Sequence, residues 1–177
     1  MDTILPAELV EAARRVVTAN LAAGRTISIA ESCTGGMVAA AITEIPGSSG
    51  VMHTGFVTYS NDAKAALLKV NQDVLDTFGG SARDDALATT RHAHCVAAKC
   101  SRGDVAVAIT GVAGPGGGTE KKPVGTVVFA RAEKGDDPSN VVADRRDFGD
   151  LGRGGIRLQA ALCALELLMP PEPASGA

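Results

Sequence analysis

Apolar residues recur along this chain with two periods, one typical of amphipathic helices and the other of buried strands. In the first segment, Leu9, Ala13 and Val16 follow the three- and four-residue spacing of a helix. Pro6 and Gly24 suit the start and the end of that helix. Short β-branched runs such as 26–30 are typical of buried strands. The pattern predicts helices over 7–23, 37–45, 62–68, 83–100 and 154–169, and strands over 26–30, 51–59, 104–110, 124–131 and 141–148.

The order of these elements predicts an α/β fold. Strands alternate with helices in the first part of the chain, which is the order of parallel strands joined by helices. The last two strands follow one another directly and indicate a hairpin with antiparallel pairing. We therefore expect a mixed, mostly parallel sheet of about five strands between helix layers. The 177 residues contain no repeat and no linker, so we expect one domain over 1–170 and a disordered tail over 171–177.

The composition is that of a globular protein and argues against a nucleic-acid partner. Hydrophobic residues make up 45% of the chain and charged residues 21%. A net charge of −3 and a single Tyr without Trp supply neither the basic field nor the stacking surface that nonspecific nucleic-acid binding needs. No apolar run has the length of a membrane span, and the first residues do not resemble a signal peptide. We expect a cytoplasmic protein, without a membrane partner, whose cysteines are reduced: Cys33, Cys95, Cys100 and Cys163.

The first candidate for chemistry is Ser32, which follows a predicted strand and precedes a predicted helix. In an open α/β sheet, ligands bind at the carboxyl ends of the strands. The N–H groups at the start of the helix would stabilise negative charge beside this serine, and Gly35 and Gly36 would let the backbone approach a ligand closely. A serine before a helix is also a preferred N-cap, and this structural role stays the alternative. Cys33 is more typical of a small packed residue than of a nucleophile.

A second candidate is the segment GFVTYSNDAK (55–64), which places Tyr59 and Lys64 around the end of a strand and the start of a helix. A nucleophilic serine needs a base. A lysine serves as a base only when burial or a neighbouring charge lowers its pKa toward neutrality. The alternative is structural, with Lys64 as a solvated helix residue, Tyr59 as a core residue and Asn61 as a helix cap.

A third candidate is the glycine-rich loop TGVAGPGGGT (110–119), which follows a predicted buried strand. Backbone N–H groups of such a loop can bind an anion. Pro115 and the strand that follows exclude a dinucleotide fingerprint, and no G-K-[ST] sequence completes a P-loop. A flexible loop without a ligand is the alternative. His92 and His94 point to different faces of the predicted helix, so with Cys95 they do not form a metal site, and we expect no metal.

Five segments taken together resemble the CinA C-terminal domain family. They are AESCTGG (30–36), PGSS (46–49), GFVTYSNDAK (55–64), TGVAGPGGGT (110–119) and KPVGTV (122–127), in the order and spacing of the family. The resemblance covers nearly the whole chain. It implies a three-layer α/β/α sandwich that hydrolyses the carboxamide of nicotinamide mononucleotide to nicotinate mononucleotide and ammonia. It also implies a small nucleotide as the partner, no metal and no other cofactor, and it leaves open whether the protein forms a homo-oligomer.

The resemblance assigns roles to the motif residues. Ser32 would be the nucleophile and Lys64 its general base. Tyr59 would orient Lys64 or the substrate, and Thr110 would lie at the amide end of the site. N–H groups around Cys33 to Gly35 would hold the oxyanion. The implied oxyanion and substrate-binding residues are Cys33, Thr34, Gly35, Gly36, Asn61, Gly111, Ala113, Gly114, Gly116, Gly117 and Arg153.

Two segments depart from the family pattern. The usual GAVSE is GGSAR at 79–83, with Ala82 in place of the usual serine, and the helix that follows is also atypical. The late motif F-x-G-D-R-x-x-[IV]-R carries an extra residue at 148–157. Arg153 is taken as its first arginine, a phosphate clamp or electrostatic stabiliser, with Arg157 as the alternative alignment. The departures keep two other functions open: a non-catalytic nucleotide-binding or regulatory domain, and a hydrolase of another small amide.

Overall fold

A five-stranded sheet with helices on both faces forms the part of the chain that the structure, a computed structural model, describes. The described residues are 3–70, 103–136 and 142–171. The helices are α1 (Ala7–Ala22), α2 (Met37–Thr43), α3 (Asn61–Leu68) and α4 (Gly152–Leu167), with a 3-10 turn at Ser48–Gly50. The strands are β1 (Ile27–Glu31), β2 (Met52–Val57), β3 (Val105–Gly111), β4 (Thr126–Glu133) and β5 (Val142–Asp147).

The sheet is mixed, with the strand order β2-β1-β3-β4-β5. Strand β1 pairs in parallel with β2 on one side and with β3 on the other. Strands β3 and β4 pair antiparallel, as do β4 and β5. Four of these five strands therefore run in one direction, and the expectation of a mixed, mostly parallel sheet with a late antiparallel hairpin is confirmed.

The two faces of the sheet carry side chains of different size. Larger apolar residues point to one face, where α1, α2 and α4 pack; they include Ile27, Ile29, Val107, Ile109, Val127 and Phe129. The alternate residues point to the other face and are mostly alanines, which pack against Leu68 of α3: Ala30, Ala106, Ala108, Ala130 and Ala132. Successive strand residues alternate between faces, so one apolar run supplies both cores. The three-layer α/β/α arrangement expected from the family resemblance is confirmed.

The described elements lie within a few residues of their predicted bounds. Strand β4 begins at Thr126 rather than at 124, because Gly125 has a φ of +100° and lies outside the pleated region. Helix α4 begins at Gly152, two residues earlier than the predicted 154. The predicted helix over 83–100, the atypical segment 79–95 and the histidines at 92 and 94 lie outside the described residues, as does nearly all of the predicted tail.

Parallel pairing brings the carboxyl ends of β1, β2 and β3 to one edge of the sheet. This is the edge at which open α/β sheets bind ligands. Within the described ranges, no helix is long and apolar enough to cross a membrane.

Candidate active site

A cavity of about 300 Å³ opens at the edge where β1 and β3 end. Its volume is at the lower end of the range that is typical of small-molecule sites. All four residues predicted to be catalytic line it: Ser32, Tyr59, Lys64 and Thr110. Of the predicted binding residues, Cys33, Asn61, Gly111, Ala113, Gly114, Gly116, Gly117 and Arg153 also line it, together with Val112. The fold thus brings together motifs that are up to about 120 residues apart in the sequence.

Three of the predicted binding residues do not line the cavity. Thr34 is fully buried, Gly35 is exposed, and Gly36 is the N-cap of α2 with a left-handed backbone. The N–H of Gly35 donates to the carbonyl oxygen of Ser32 at 3.0 Å. The N–H of Gly35 therefore has a backbone acceptor within the turn, and its part in holding an oxyanion stays a prediction.

Ser32 lies directly after β1 and continues its pairing, because its N–H donates to the carbonyl oxygen of Ile109 at 3.1 Å. The alternative that Ser32 caps α2 is wrong. The N-cap of that helix is Gly36, four residues further along the chain, and Ser32 lines the cavity instead.

Glu31 caps α2 in place of a serine. Its side chain is 1% exposed and accepts three backbone N–H groups of the helix start: Gly36 at 3.0 Å, Val38 at 3.2 Å and Ala39 at 2.9 Å. These donors would otherwise lack intrahelical partners. The helix start is therefore not free to stabilise a ligand anion, contrary to the expectation drawn from the sequence. This role of Glu31 was missed in the sequence, although a glutamate that ends an otherwise apolar strand was a signal for it.

Lys64 is buried at the cavity, so the alternative that it is a solvated helix residue is wrong. The side chain of this α3 residue is only 4% exposed. Burial lowers the pKa of Lys64 below its ordinary value, against a smaller opposing attraction from Cys33. The lowered pKa favours the neutral amine, which is the form that accepts a proton.

The residues around Lys64 also do not have the structural roles that the sequence left open for them. Ser60, not Asn61, is the N-cap of α3, because its side chain accepts the N–H of Ala63 at 3.1 Å. Asn61 lines the cavity, and Tyr59 is 61% exposed rather than part of the core.

Cys33 follows Ser32 and also lines the cavity. The residue is 5% exposed, and burial raises the pKa of its thiol to about 11. The thiol therefore stays protonated near neutral pH, where only a thiolate would be an effective nucleophile. Cys33 is a packed neighbour of Ser32, in agreement with the interpretation from the sequence.

Arg153 joins three parts of the cavity rim. Its guanidinium donates to the carbonyl oxygen of Gly114 at 2.6 Å and to the hydroxyl oxygen of Tyr59 at 3.0 Å. Gly114 has a φ of +75°, and a Cβ there would lie 2.6 Å from a methyl carbon of Val124, so this turn requires glycine. Arg157 does not line the cavity, which favours Arg153 as the arginine of the site.

No three His, Cys, Asp or Glu side chains among residues 3–70, 103–136 and 142–171 lie close enough together to hold a metal ion. The polar groups of the residues that line the cavity include two hydroxyls (Ser32 and Thr110), the Lys64 amine, the Tyr59 phenol and backbone amides. These groups suit proton transfer and acyl transfer to a hydroxyl.

Comparison with curated proteins identifies relatives of two sizes. The nicotinamide-nucleotide amidohydrolase PncC of Escherichia coli K12 is 42% identical over 161 residues, which are 91% of this chain and 93% of that protein. A putative competence-damage inducible protein of Symbiobacterium thermophilum is 46% identical over 151 residues, 82% of this chain but 34% of that protein. The chain thus spans about a third of the length of the larger relatives.

Solved structures show the same fold. The crystal structure of the competence/damage inducible protein CihA from Agrobacterium tumefaciens superposes with a TM-score of 0.84 at 43% identity, covering 94% of this chain and 97% of that one. A CinA superfamily protein from Escherichia coli has a TM-score of 0.77 at 26% identity, covering 94% and 92%. The sequence profile of the CinA C-terminal domain matches residues 10–170, and the chain therefore belongs to the CinA C-terminal domain family.

Proposed function

We propose that this protein hydrolyses the carboxamide of nicotinamide mononucleotide to nicotinate mononucleotide and ammonia, as one domain over 1–170, with Ser32 as the nucleophile and Lys64 as its base. The observation that carries the proposal is the buried lysine with a lowered pKa in the cavity that Ser32 lines. The substrate follows the relative named nicotinamide-nucleotide amidohydrolase, which this chain matches over 93% of that protein's length.

The first step is attack by Ser32 on the amide carbon. Neutral Lys64 takes the hydroxyl proton while Ser32 Oγ forms a bond to the carbonyl carbon. The carbonyl oxygen becomes an oxyanion, for which the backbone N–H of Cys33, a residue that lines the cavity, is the candidate donor. The pyridinium ring of the substrate withdraws electrons from the carboxamide, and its positive charge disfavours protonated Lys64.

The second step releases ammonia and leaves an ester on Ser32. Protonated Lys64 returns its proton to the departing nitrogen as the C–N bond breaks. A water molecule then attacks the ester, Lys64 takes a proton from it, and the C–O bond to Ser32 breaks. Nicotinate mononucleotide leaves, and Ser32 recovers its hydroxyl proton from Lys64.

Arg153 and the glycine-rich loop supply the groups for binding the nucleotide. Arg153 donates to the oxygen of Tyr59, which leaves the proton of that hydroxyl directed elsewhere, toward substrate or Lys64. The guanidinium charge at the rim suits a phosphate, and the backbone of 111–117 lines the same cavity. Thr110 is the penultimate residue of β3 and lines the cavity, where its hydroxyl would contact the amide.

The test measures ammonia and nicotinate mononucleotide formed from nicotinamide mononucleotide by the wild type, Ser32→Ala and Ser28→Ala. Ser28 lies in the same strand but does not line the cavity, so Ser28→Ala controls for the loss of a β1 hydroxyl. We expect Ser32→Ala to lose about 10³-fold or more in turnover and Ser28→Ala to stay near the wild type. Activity should also survive a chelator.

Three outcomes would contradict this proposal in different ways. Turnover by Ser32→Ala at the wild-type rate would refute the nucleophile. A folded wild type that releases no ammonia from any amide would favour a non-catalytic nucleotide-binding domain. Release from other small amides, with none from the mononucleotide, would identify a different amide hydrolase on this fold.

A further inference from the structure

Arg157 binds the backbone immediately after the nucleophile. It lies in α4, one helical turn after Arg153, and is half-buried. Its Nε donates to the carbonyl oxygen of Cys33 at 3.1 Å and its Nη2 to the carbonyl oxygen of Thr34 at 2.9 Å. One guanidinium therefore fixes two successive peptide units. A side chain with a single donor position does not reproduce this fork.

Fixing these carbonyls also fixes the N–H groups of the same peptide planes. A trans peptide is planar, with its N–H opposite its C=O. The carbonyl of Cys33 points to Arg157, so the N–H of Thr34 points away from it. The carbonyl of Thr34 also points to Arg157, which orients the N–H of Gly35 toward the carbonyl of Ser32 at 3.0 Å. That bond in turn sets the plane of the Ser32–Cys33 peptide and the direction of the Cys33 N–H.

Two further features fit this arrangement. Ser32 and Cys33 both line the cavity, so the peptide between them, which this network fixes, lies at the cavity wall. A Cβ at residue 35 would lie 3.2 Å from Nη2 of Arg157, so glycine there leaves room for the guanidinium. On the helix side, Glu31 binds the N–H groups that follow. Arg157 thus binds carbonyl oxygens of the turn, and Glu31 binds the N–H groups that follow it.

We propose that Arg157 is a positioning residue for the reaction at Ser32: through the bonded turn it orients the N–H of Cys33 toward the developing oxyanion. This rests on the proposed function for its chemistry, but not on the identity of the amide. Donors that are aimed in advance stabilise the transition state more than the bound substrate. Loss of Arg157 therefore lowers kcat and leaves KM nearly unchanged.

The experiment compares Arg157→Ala, Arg157→Lys and a matched control, Arg131→Ala. Arg131 also donates to a carbonyl oxygen, that of Leu167 at the other end of α4, at 2.8 Å. Arg131→Ala therefore removes an arginine–carbonyl bond that also involves α4 but lies away from the cavity, together with an ion pair to Glu133. We expect Arg157→Ala to lose about 10²–10³-fold in kcat, as for a lost oxyanion donor, with KM within about threefold of wild type. The kcat of Arg157→Lys should lie between those of the wild type and Arg157→Ala. Millimolar guanidinium should restore part of the activity of Arg157→Ala and should not raise that of the other variants.

A second measurement does not depend on the substrate. A fluorophosphonate ester phosphonylates an activated serine, and intact mass gives the rate at Ser32. We expect labelling of the wild type and of Arg131→Ala at equal rates, and labelling of Arg157→Ala at least about tenfold more slowly. If this pattern holds while nicotinamide mononucleotide is not hydrolysed, the substrate is wrong and the role of Arg157 stands.

Equal labelling rates for Arg157→Ala and Arg131→Ala would overturn the role of Arg157. So would a wild type whose Ser32 is not labelled. A loss in Arg157→Ala that appears as a raised KM with an unchanged kcat would also overturn it. If Arg157→Ala does not fold, Arg157→Lys decides the question. Wild-type kcat and labelling in a folded Arg157→Lys would overturn the proposal, and a loss in both would support it.

Discussion

Glu31→Gln should destabilise the fold far more than an exposed charge-neutralising substitution does. Glu31 is buried and its two carboxylate oxygens accept three backbone N–H groups: Oε2 those of Gly36 and Val38, Oε1 that of Ala39. Glutamine keeps the shape, but one of its two ends is an NH₂ group that only donates. In either orientation of the amide, at least one of the three backbone N–H groups then faces the NH₂ group and loses its acceptor.

The magnitude follows from these contacts. A hydrogen bond to a charged group contributes about 1.5–3 kcal/mol, and a negative charge at a partly buried helix start about 0.3–2 kcal/mol more. We expect a loss of about 2–4 kcal/mol in the free energy of unfolding. For a chain of this size, about 3 kcal/mol corresponds to a fall in Tm of about 6–12 °C.

The assay is urea unfolding at pH 7, with Glu8→Gln as the matched control. Glu8 is an exposed acidic residue in the first turn of α1, so its neutralisation should cost about 0.5 kcal/mol or less. The midpoint should fall for Glu31→Gln with an unchanged slope. Equal losses for the two variants would refute the argument that Glu31 holds the start of α2.

Two predictions concern the cavity itself. Lys64→Met should abolish turnover and unfold at higher urea than the wild type near neutral pH. The difference in the free energy of unfolding between Lys64→Met and the wild type should shrink as the pH rises toward the ordinary lysine pKa. In this pH range Lys64 is protonated in the unfolded chain but neutral in the folded one, so the wild type gains stability as the pH rises. A difference that is constant from pH 7 to 10 would contradict this. Cys33→Ala should keep turnover within about threefold, since the thiol pKa of about 11 leaves no thiolate to react, and a loss of about 10²-fold would assign the thiol a role in the reaction.

Strands β1 and β3 could be predicted because a strand that is buried on both faces reads as one apolar run. All five residues of β1 are buried, and so are the first six of β3. The loops after these strands were then expected at one edge of the sheet, and the structure places both at one cavity. The catalytic roles of Ser32 and Lys64 remain predictions.

The burial of Lys64 was not evident, because lysine is rarely buried without a partner. A signal was available in its spacing. Lys64 lies four residues before Leu68 on α3, and residues four apart share a helix face. Leu68 packs against the alanine-rich face of the sheet, and Lys64 is buried with it.

Glu31 and Arg157 could not be assigned from sequence for a different reason. Both act on backbone atoms, and a carbonyl or an N–H leaves no mark in the residue pattern. Arg157 contacts residues 123 and 124 positions away in the chain. Such contacts follow from the docking of α4 on the finished sheet.

That docking has a consequence for when the proposed site is assembled during synthesis. The ribosome makes Ser32, Lys64 and the glycine-rich loop before it makes α4, whose two arginines bind the carbonyl oxygens of Cys33, Thr34 and Gly114. A nascent chain lacking α4 has every proposed reacting group and none of these arginine contacts. Separately produced 1–150 should therefore be inactive, and a supplied α4 peptide should be able to complement it. The contacts of the proposed site are therefore complete only after the last helix has been synthesised and has docked on the sheet.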